Sequence, residues 1–360
     1  MRLFFLLSVI VIFLQACLEE IALNAPKKSI DNLTITGKLV HGNPSFIHLR
    51  IFKLTDFTHA DQPIPIGGAR VTLEDDKGKT IVIPMSEPGI YEREITDRTN
   101  DLIVEAGGSY KVKITTTATD EYESTFEVLQ SVPKATLLTY ELIEREGLNE
   151  SGNFANNQYI RFYIDTPLEG DTNNRAFLKW DFLSHFLLVE SIPDVPLPPP
   201  VHKCYIPQTL GTDKVAVFNG NESNKPTLSH HLILEEDLDQ RFVYGFYLTV
   251  IQQSVTEKTF RYWDQISKII ELNGNFFDAQ PGKVKGNIHN VQDPEEEVFG
   301  YFYATQQDTI RLFVKNIEDI KSRYCPLVVP LDKVPTTDPV CFDCLLIPNS
   351  SLEKPAFWVE

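Results

Sequence analysis

Most of the chain behind residue 32 is built from short runs in which apolar and polar residues alternate. The alternation is clear in residues 33–40, 69–73 and 109–115. Such a pattern is typical of strands with one buried and one solvent-exposed face, as in antiparallel sheets. About seven strands of this kind, separated by glycine-containing turns, are typical of an immunoglobulin-like β-sandwich. We therefore predict a first, immunoglobulin-like domain over residues 33–145.

The second half of the chain also favours strands. Residues 146–156 are polar and rich in glycine and asparagine, and we interpret them as a linker or a boundary loop. Behind them we predict a second β-rich domain with a few helices over residues 157–360. One helix is predicted at residues 255–272, because Ser254 and Glu257 have capping-box spacing and apolar residues then recur at helical intervals. The predicted fold class is mainly β, in two domains.

The N-terminus differs from this pattern. Residues 3–14 form an apolar run, shorter than the about 20 residues that span a bilayer but typical of a signal peptide. Cys17 follows Leu-Gln-Ala, which resembles a bacterial lipobox. We predict a signal peptide over residues 1–16, a lipidated Cys17, and a tether over residues 17–32. An ordinary signal peptide with an accidental cysteine and an uncleaved anchor are the alternatives.

Charge and the tether together predict a location. The net charge of −17 disfavours binding to nucleic acid and to anionic lipid headgroups, so the expected membrane contact is the lipid on Cys17. Glu19 and Glu20 resemble the signal that sends lipoproteins of the phylum Bacteroidota to the cell surface, and the alternative is that they only keep the tether solvated. We expect a lipid-anchored outer-membrane protein at the cell surface, with the periplasmic face as the alternative.

Four cysteines follow Cys17, and an even number in an exported chain predicts two disulfides. Three pairings of these residues are possible, and Cys341 and Cys344 could instead form a redox motif or half of a zinc site. The four disulfide candidates are Cys204, Cys325, Cys341 and Cys344.

No catalytic signature accompanies these features, and we predict neither a catalytic residue nor a metal or cofactor. His230 and His231 precede acidic residues 235–237 and could ligate a metal, but we interpret the acids as a solvated face. Trp180 and exposed Tyr or Phe side chains are candidates for stacking on a ligand, whether a small molecule, a glycan or a peptide.

Several short motifs of the second half occur together, and singly each is weak. They are Tyr262-Trp263, residues 273–274, 277–281, 286–290, 298–302, 341–344 and 354–358. Jointly they resemble the Bacteroidota outer-membrane lipoprotein family catalogued as domain of unknown function 4249. The resemblance covers nearly all of the mature chain, and residues 66–71, 89–91 and 107–110 fit the family's first domain.

This resemblance implies a function as well as a fold. Members resemble accessory lipoproteins encoded beside TonB-dependent outer-membrane receptors, so the implied partner is such a receptor. We expect a non-enzymatic protein that binds or delivers a nutrient, or caps the receptor. The alternatives are a surface hydrolase acting on glycan or peptide, and a structural or adhesive surface module.

Overall fold

The computed structural model describes residues 33–53, 63–96, 102–148, 154–170, 175–212, 214–271, 284–315, 317–320 and 324–359. The predicted signal peptide, Cys17 and the tether lie outside these residues. Within them the protein is mainly β, as predicted. No helix in these ranges is both long and apolar enough to cross a membrane.

A ten-stranded sheet extends through the described part of the chain. Its strands are β1 (Leu33–His41), β2 (Ser45–Lys53), β3 (Ile64–Pro65), β6 (Met85–Glu87), β7 (Ile90–Ile95), β13 (Phe177–Val189), β15 (Lys203–Leu210), β16 (Ala216–Asn219), β18 (Phe246–Val255) and β20 (Phe302–Val314). The spatial order is β15-β13-β18-β20-β1-β2-β7-β6, with β16 beside β13 and β3 beside β2. β1 and β20 pair in parallel, whereas the other pairs in this sheet are antiparallel.

Two smaller sheets cover the ten-stranded sheet. The second sheet contains β4 (Arg70–Asp75), β5 (Thr80–Ile83), β8 (Ser109–Thr115), β9 (Glu121–Ser124), β10 (Glu127–Val128) and β19 (Ile288–Asn290). The third contains β11 (Leu137–Leu148), β12 (Phe154–Pro167) and β17 (Thr227–Asp237). A short parallel pair joins β14 (Ile192–Pro193) to β21 (Val328–Val329).

The two main hydrophobic cores lie on the same face of the large sheet. Phe302 and Ala304 belong to the core shared with the second sheet, and Val314 belongs to the core shared with the third. These positions are an even number of residues apart on β20, so their side chains point to one side. Tyr301 and Tyr303 are at odd positions and therefore lie on the opposite face, which we call the back face.

The first core has the two-layer packing of a sandwich, which is consistent with the immunoglobulin-like prediction. However, strands from the second half of the chain complete both of its layers. β20 pairs with β1 in one layer, and β19 pairs with β9 in the other. The predicted domains 33–145 and 157–360 are therefore joined by hydrogen-bonded strands.

The interpretation of residues 146–156 as a linker or a boundary loop is wrong for the described part of this segment. Its described ends belong to β11 and β12, which pair in one antiparallel hairpin up to Leu148 and Phe154. Polar residues with glycine and asparagine suit the end of a long hairpin as well as a linker, because neither has to bury side chains.

The predicted helix is present as α1 (Glu257–Glu271), packed on the back face. Its capping differs from the prediction, because Ser254 lies within β18. Thr256 is the N-cap instead: its Oγ1 accepts a hydrogen bond from Thr259 N at 3.2 Å, and its carbonyl accepts from Phe260 N.

Candidate ligand-binding site

An aromatic pocket of about 120 Å³ opens between α1 and the back face of the large sheet. Tyr262 and Trp263 come from the helix. Tyr303 lies at the start of β20, and Tyr301 is the residue before this strand. The remaining lining residues are Thr36, Gly37, Lys38 and His48, on β1 and β2. The pocket therefore lies where strands of the two halves of the chain meet.

Strand alternation places the polar groups of this pocket. Lys38 is opposite Tyr303 in the parallel pairing of β1 and β20. Lys179 and Asp181 are two residues apart on β13, so they share the back face while Trp180 between them points into the core. Side chains far apart in sequence thus come together beneath one helix.

Two ammonium groups share one carboxylate at the pocket. Lys179 forms an ion pair with Asp181, and Lys38 Nζ lies 3.5 Å from Asp181 Oδ2. Gln253 Nε2 donates to Asp181 Oδ2 at 2.6 Å, and Tyr303 OH donates to Gln253 Oε1 at 3.1 Å. Asp181 is therefore fully engaged, whereas Lys38 has the longer contact.

The charges and the burial set the protonation of the groups in this network. Burial lowers the pKa of Lys38, and the charge of Asp181 offsets this only in part. Burial alone would raise the pKa of Asp181, but the charges of Lys179 and Lys38 outweigh it and the net pKa is lowered. Asp181 is therefore a carboxylate at neutral pH.

Aromatic rings form the remaining walls. The rings of Tyr262 and Tyr301 are 4.6 Å apart, and Lys179 Nζ lies 5.0 Å from the centre of the Trp263 ring, within the range of a cation–π contact. Burial raises the pKa values of Tyr262, Tyr301 and Tyr303, so all three are neutral phenols at physiological pH.

A buried carboxylate fixes the helix that carries Tyr262 and Trp263. Glu127 on β10 is 1% exposed and accepts hydrogen bonds from Thr256 Oγ1 and Thr259 Oγ1, each at 2.9 Å. It also accepts from Tyr301 OH at 2.8 Å. Negative charge near a helix N-terminus is favourable. Glu127 therefore ties the second sheet to both walls of the aromatic pocket.

Two residues of the motifs quoted for the family resemblance, Asn287 and Gly300, support the same wall of the pocket. Asn287 Nδ2 donates to the carbonyl of Phe302, and Asn287 Oδ1 accepts from Phe302 N, at 2.8 and 2.9 Å. Gly300 has a φ of +95°, and a Cβ there would lie 2.0 Å from the carbonyl oxygen of Ile35. Only glycine fits this crossing, which sets the position of Tyr301.

The four cysteines form two disulfides distant from the pocket. Cys204 pairs with Cys344, and Cys325 pairs with Cys341, at sequence separations of 140 and 16. The pairing attaches the C-terminal tail, residues 324–359, to β15. Cys341 and Cys344 belong to different bridges, so the structure does not support a redox pair or zinc ligands there.

The candidate metal residues do not converge. His230 stacks on Tyr163 at 3.9 Å between ring centres, whereas His231 on β17 packs against Phe218 of β16, and burial lowers the pKa of His231. No group of three His, Cys, Asp or Glu side chains in the described ranges is placed to hold a metal ion. Trp180 is also buried, and its Nε1 donates to Gln252.

Sequence reasoning missed the residues that form the aromatic pocket, although Tyr262 and Tyr301 appear in the resembling motifs. One local signal was present: Lys179 and Asp181 occupy alternate positions in the apolar first half of β13. Two opposite charges on one face of such a strand indicate a polar cluster on that face. Lys38 and Glu127 carry no comparable local signal.

The fold and the bridges together define a mainly β, disulfide-bonded protein with sheets shared between its two halves. The chain belongs to the family described as Domain of unknown function (DUF4249), whose model matches residues 19–311. No curated protein matches the sequence.

Proposed function

We propose that this protein is a non-enzymatic accessory lipoprotein of a TonB-dependent nutrient uptake system in Bacteroidota. It is anchored in the outer membrane through lipid on Cys17 and faces the cell surface. The observation that carries the proposal is a disulfide-bonded β structure that follows a lipobox-like sequence and a short tether, in a chain that belongs to this family. Disulfides form in oxidising compartments, which fits export.

The length of the tether supports a partner in the same membrane. Sixteen residues, 17–32, connect the lipid-bearing position to β1. Even fully extended, at about 3.3–3.6 Å per residue, they keep the start of β1 within about 60 Å of the lipid. A body held at this distance encounters other proteins of the same membrane far more often than a free protein would.

The C-terminal tail supports a protein contact. Residues 324–359 present several large apolar side chains to solvent, among them Leu327, Leu331, Leu345 and Leu346, which are 53%, 62%, 50% and 56% exposed. The Cys204–Cys344 disulfide ties this segment to β15, and the Cys325–Cys341 disulfide closes a loop within it. Exposed apolar side chains on a restrained frame suit a protein partner.

Immunoprecipitation of the native protein from outer membranes in mild detergent tests this proposal. We expect a TonB-dependent receptor to be recovered, and we expect Cys17→Ala to move the protein to the soluble fraction. Leu331→Asp combined with Leu346→Asp should reduce receptor recovery, whereas Val82→Asp, at an exposed position of the second sheet, should not. Recovery of no receptor would contradict the proposal, and turnover of a glycan or peptide substrate would favour the hydrolase alternative.

A further inference from the structure

The aromatic pocket has the dimensions of a single ring. Its volume of about 120 Å³ is a little below the about 150 Å³ of an enclosed apolar cavity that holds benzene. The pocket is open to solvent on one side, so a ligand can leave a substituent outside. Rings of Tyr262, Trp263 and Tyr301 provide faces and edges against which a flat ring packs at low conformational cost.

One cation at the pocket is available for a ligand. The Lys38 side chain lines the pocket and is 32% exposed, and its ion-pair partner in the described structure is Asp181 at 3.5 Å. Asp181 is already paired with Lys179 and Gln253. The ammonium of Lys38 can therefore approach a second carboxylate without leaving Asp181 unpaired.

The other carboxylates near the pocket do not compete for Lys38. Glu127 accepts hydrogen bonds from the hydroxyls at the start of α1 and from Tyr301. Glu92 lies 2.6 Å from Nδ1 of His48, on the far side of the lining. Each of these carboxylates has its own donors, which leaves Lys38 as the half-buried cation with the weakest pairing.

We propose that the aromatic pocket binds a ring-sized organic acid, with the ring packed against the wall formed by Tyr262, Trp263 and Tyr301 and the carboxylate on Lys38. A carboxylate contact to an ammonium in a partly buried site is stronger than a neutral hydrogen bond and fixes the orientation of the ring. The inference deepens the proposed function by naming a ligand class. It rests on that function in one respect, which is that the pocket binds its ligand and does not turn it over. Two sources share this chemistry, aromatic acids and sugar acids.

Ligand-detected NMR on the purified mature protein distinguishes the sources, with benzoate and glucuronate as probes. We expect one of the two acids to saturate the protein in the millimolar range or below. Acetate, which lacks the ring, and benzyl alcohol, which lacks the charge, should bind at least about tenfold more weakly. Binding of either control as tightly as the acid would overturn the assignment.

Variants locate the binding. Lys38→Met and Tyr262→Leu should each weaken the acid about tenfold or more, whereas Lys38→Arg, which keeps the charge, should retain binding. Lys79→Met, at an exposed lysine in the turn between β4 and β5, is the matched control, and circular dichroism verifies that each variant is folded. Unchanged binding in folded Lys38→Met would refute the proposal. The assay uses no receptor, so its failure leaves the receptor partnership to be judged by immunoprecipitation.

Discussion

Replacing the buried carboxylate of Glu127 tests how the aromatic pocket is held together. Glu127→Leu keeps a side chain of similar size but removes the acceptor for three hydroxyls at 2.8–2.9 Å. Tyr301 is 5% exposed, so its hydroxyl loses this partner inside the protein, whereas Thr259 Oγ1 keeps its 3.0 Å contact to Thr256 Oγ1. At about 1–3 kcal/mol for an unpaired buried group, the Tyr301 hydroxyl gives an expected loss of about 1–3 kcal/mol in the free energy of unfolding.

Urea unfolding of the mature protein, followed by tryptophan fluorescence and circular dichroism, measures this loss. The matched control is Glu87→Leu, at an exposed glutamate of β6, which should change the free energy of unfolding by less than about 0.5 kcal/mol. Hydrogen exchange should also accelerate at the start of α1, because Thr256 and Thr259 lose their acceptor.

A double-mutant cycle isolates the contact to one wall of the pocket. Tyr301→Phe should destabilise the wild-type protein but have little further effect once Glu127 is leucine, because its hydroxyl then has no carboxylate to donate to. A loss below about 0.5 kcal/mol for Glu127→Leu, or strictly additive losses for the pair, would refute the role we assign to this carboxylate.

Three further predictions concern backbone crossing, covalent bridging and alkaline stability. Gly300→Ala should cost several-fold more stability than Gly78→Ala in urea unfolding, because the added Cβ at Gly300 would meet a backbone oxygen of β1. Gly78 has open space around it, so an alanine there costs only the about 1–2 kcal/mol of its positive φ. Cys204→Ser with Cys344→Ser opens a loop of 140 residues and should cost about 5 kcal/mol in the chain-entropy model; a peptide map of the unreduced protein that shows different partners would contradict the pairing. Burial, followed by the charge of Glu127, raises the pKa of Tyr301. The contribution of the Tyr301 phenol to stability is therefore complete below the unfolded pKa of about 10 and is lost as pH rises further. Tyr301→Phe should make the free energy of unfolding decline less steeply above pH 10, and an identical decline in both proteins would exclude this cause.

Local patterns predicted the local structure well. Alternation located β1, β4 and β8, because each has one face in a core and one face outside it. Helical spacing located α1 to within two residues at its start and one at its end. The cap was assigned to Ser254 rather than Thr256 because β18 continues to Val255, and strand length depends on pairing that a local pattern does not contain.

The pairing between distant segments could not be predicted in the same way. Lys38 and Asp181 are 143 residues apart, and they meet because the parallel pairing of β1 with β20 joins β1 to the strands β20, β18 and β13. Neither alternation nor turn residues specify such a partner, since register depends on how whole faces are buried. The aromatic pocket is formed by this pairing together with the helix, so its residues could not be grouped from sequence. The division into two domains stays a prediction, as does lipidation at Cys17.

Quantitative immunoprecipitation from outer membranes is the most direct measurement of the central claim, that this chain is a lipid-anchored partner of a TonB-dependent receptor. Mass spectrometry would compare the wild-type protein with Cys17→Ala after gentle solubilisation. The account predicts that one TonB-dependent receptor is strongly enriched with the wild-type protein, whose N-terminal peptide carries diacylglycerol on Cys17, and that Cys17→Ala is absent from the membrane fraction. An unmodified Cys17, or a wild-type precipitate without such a receptor, would contradict it.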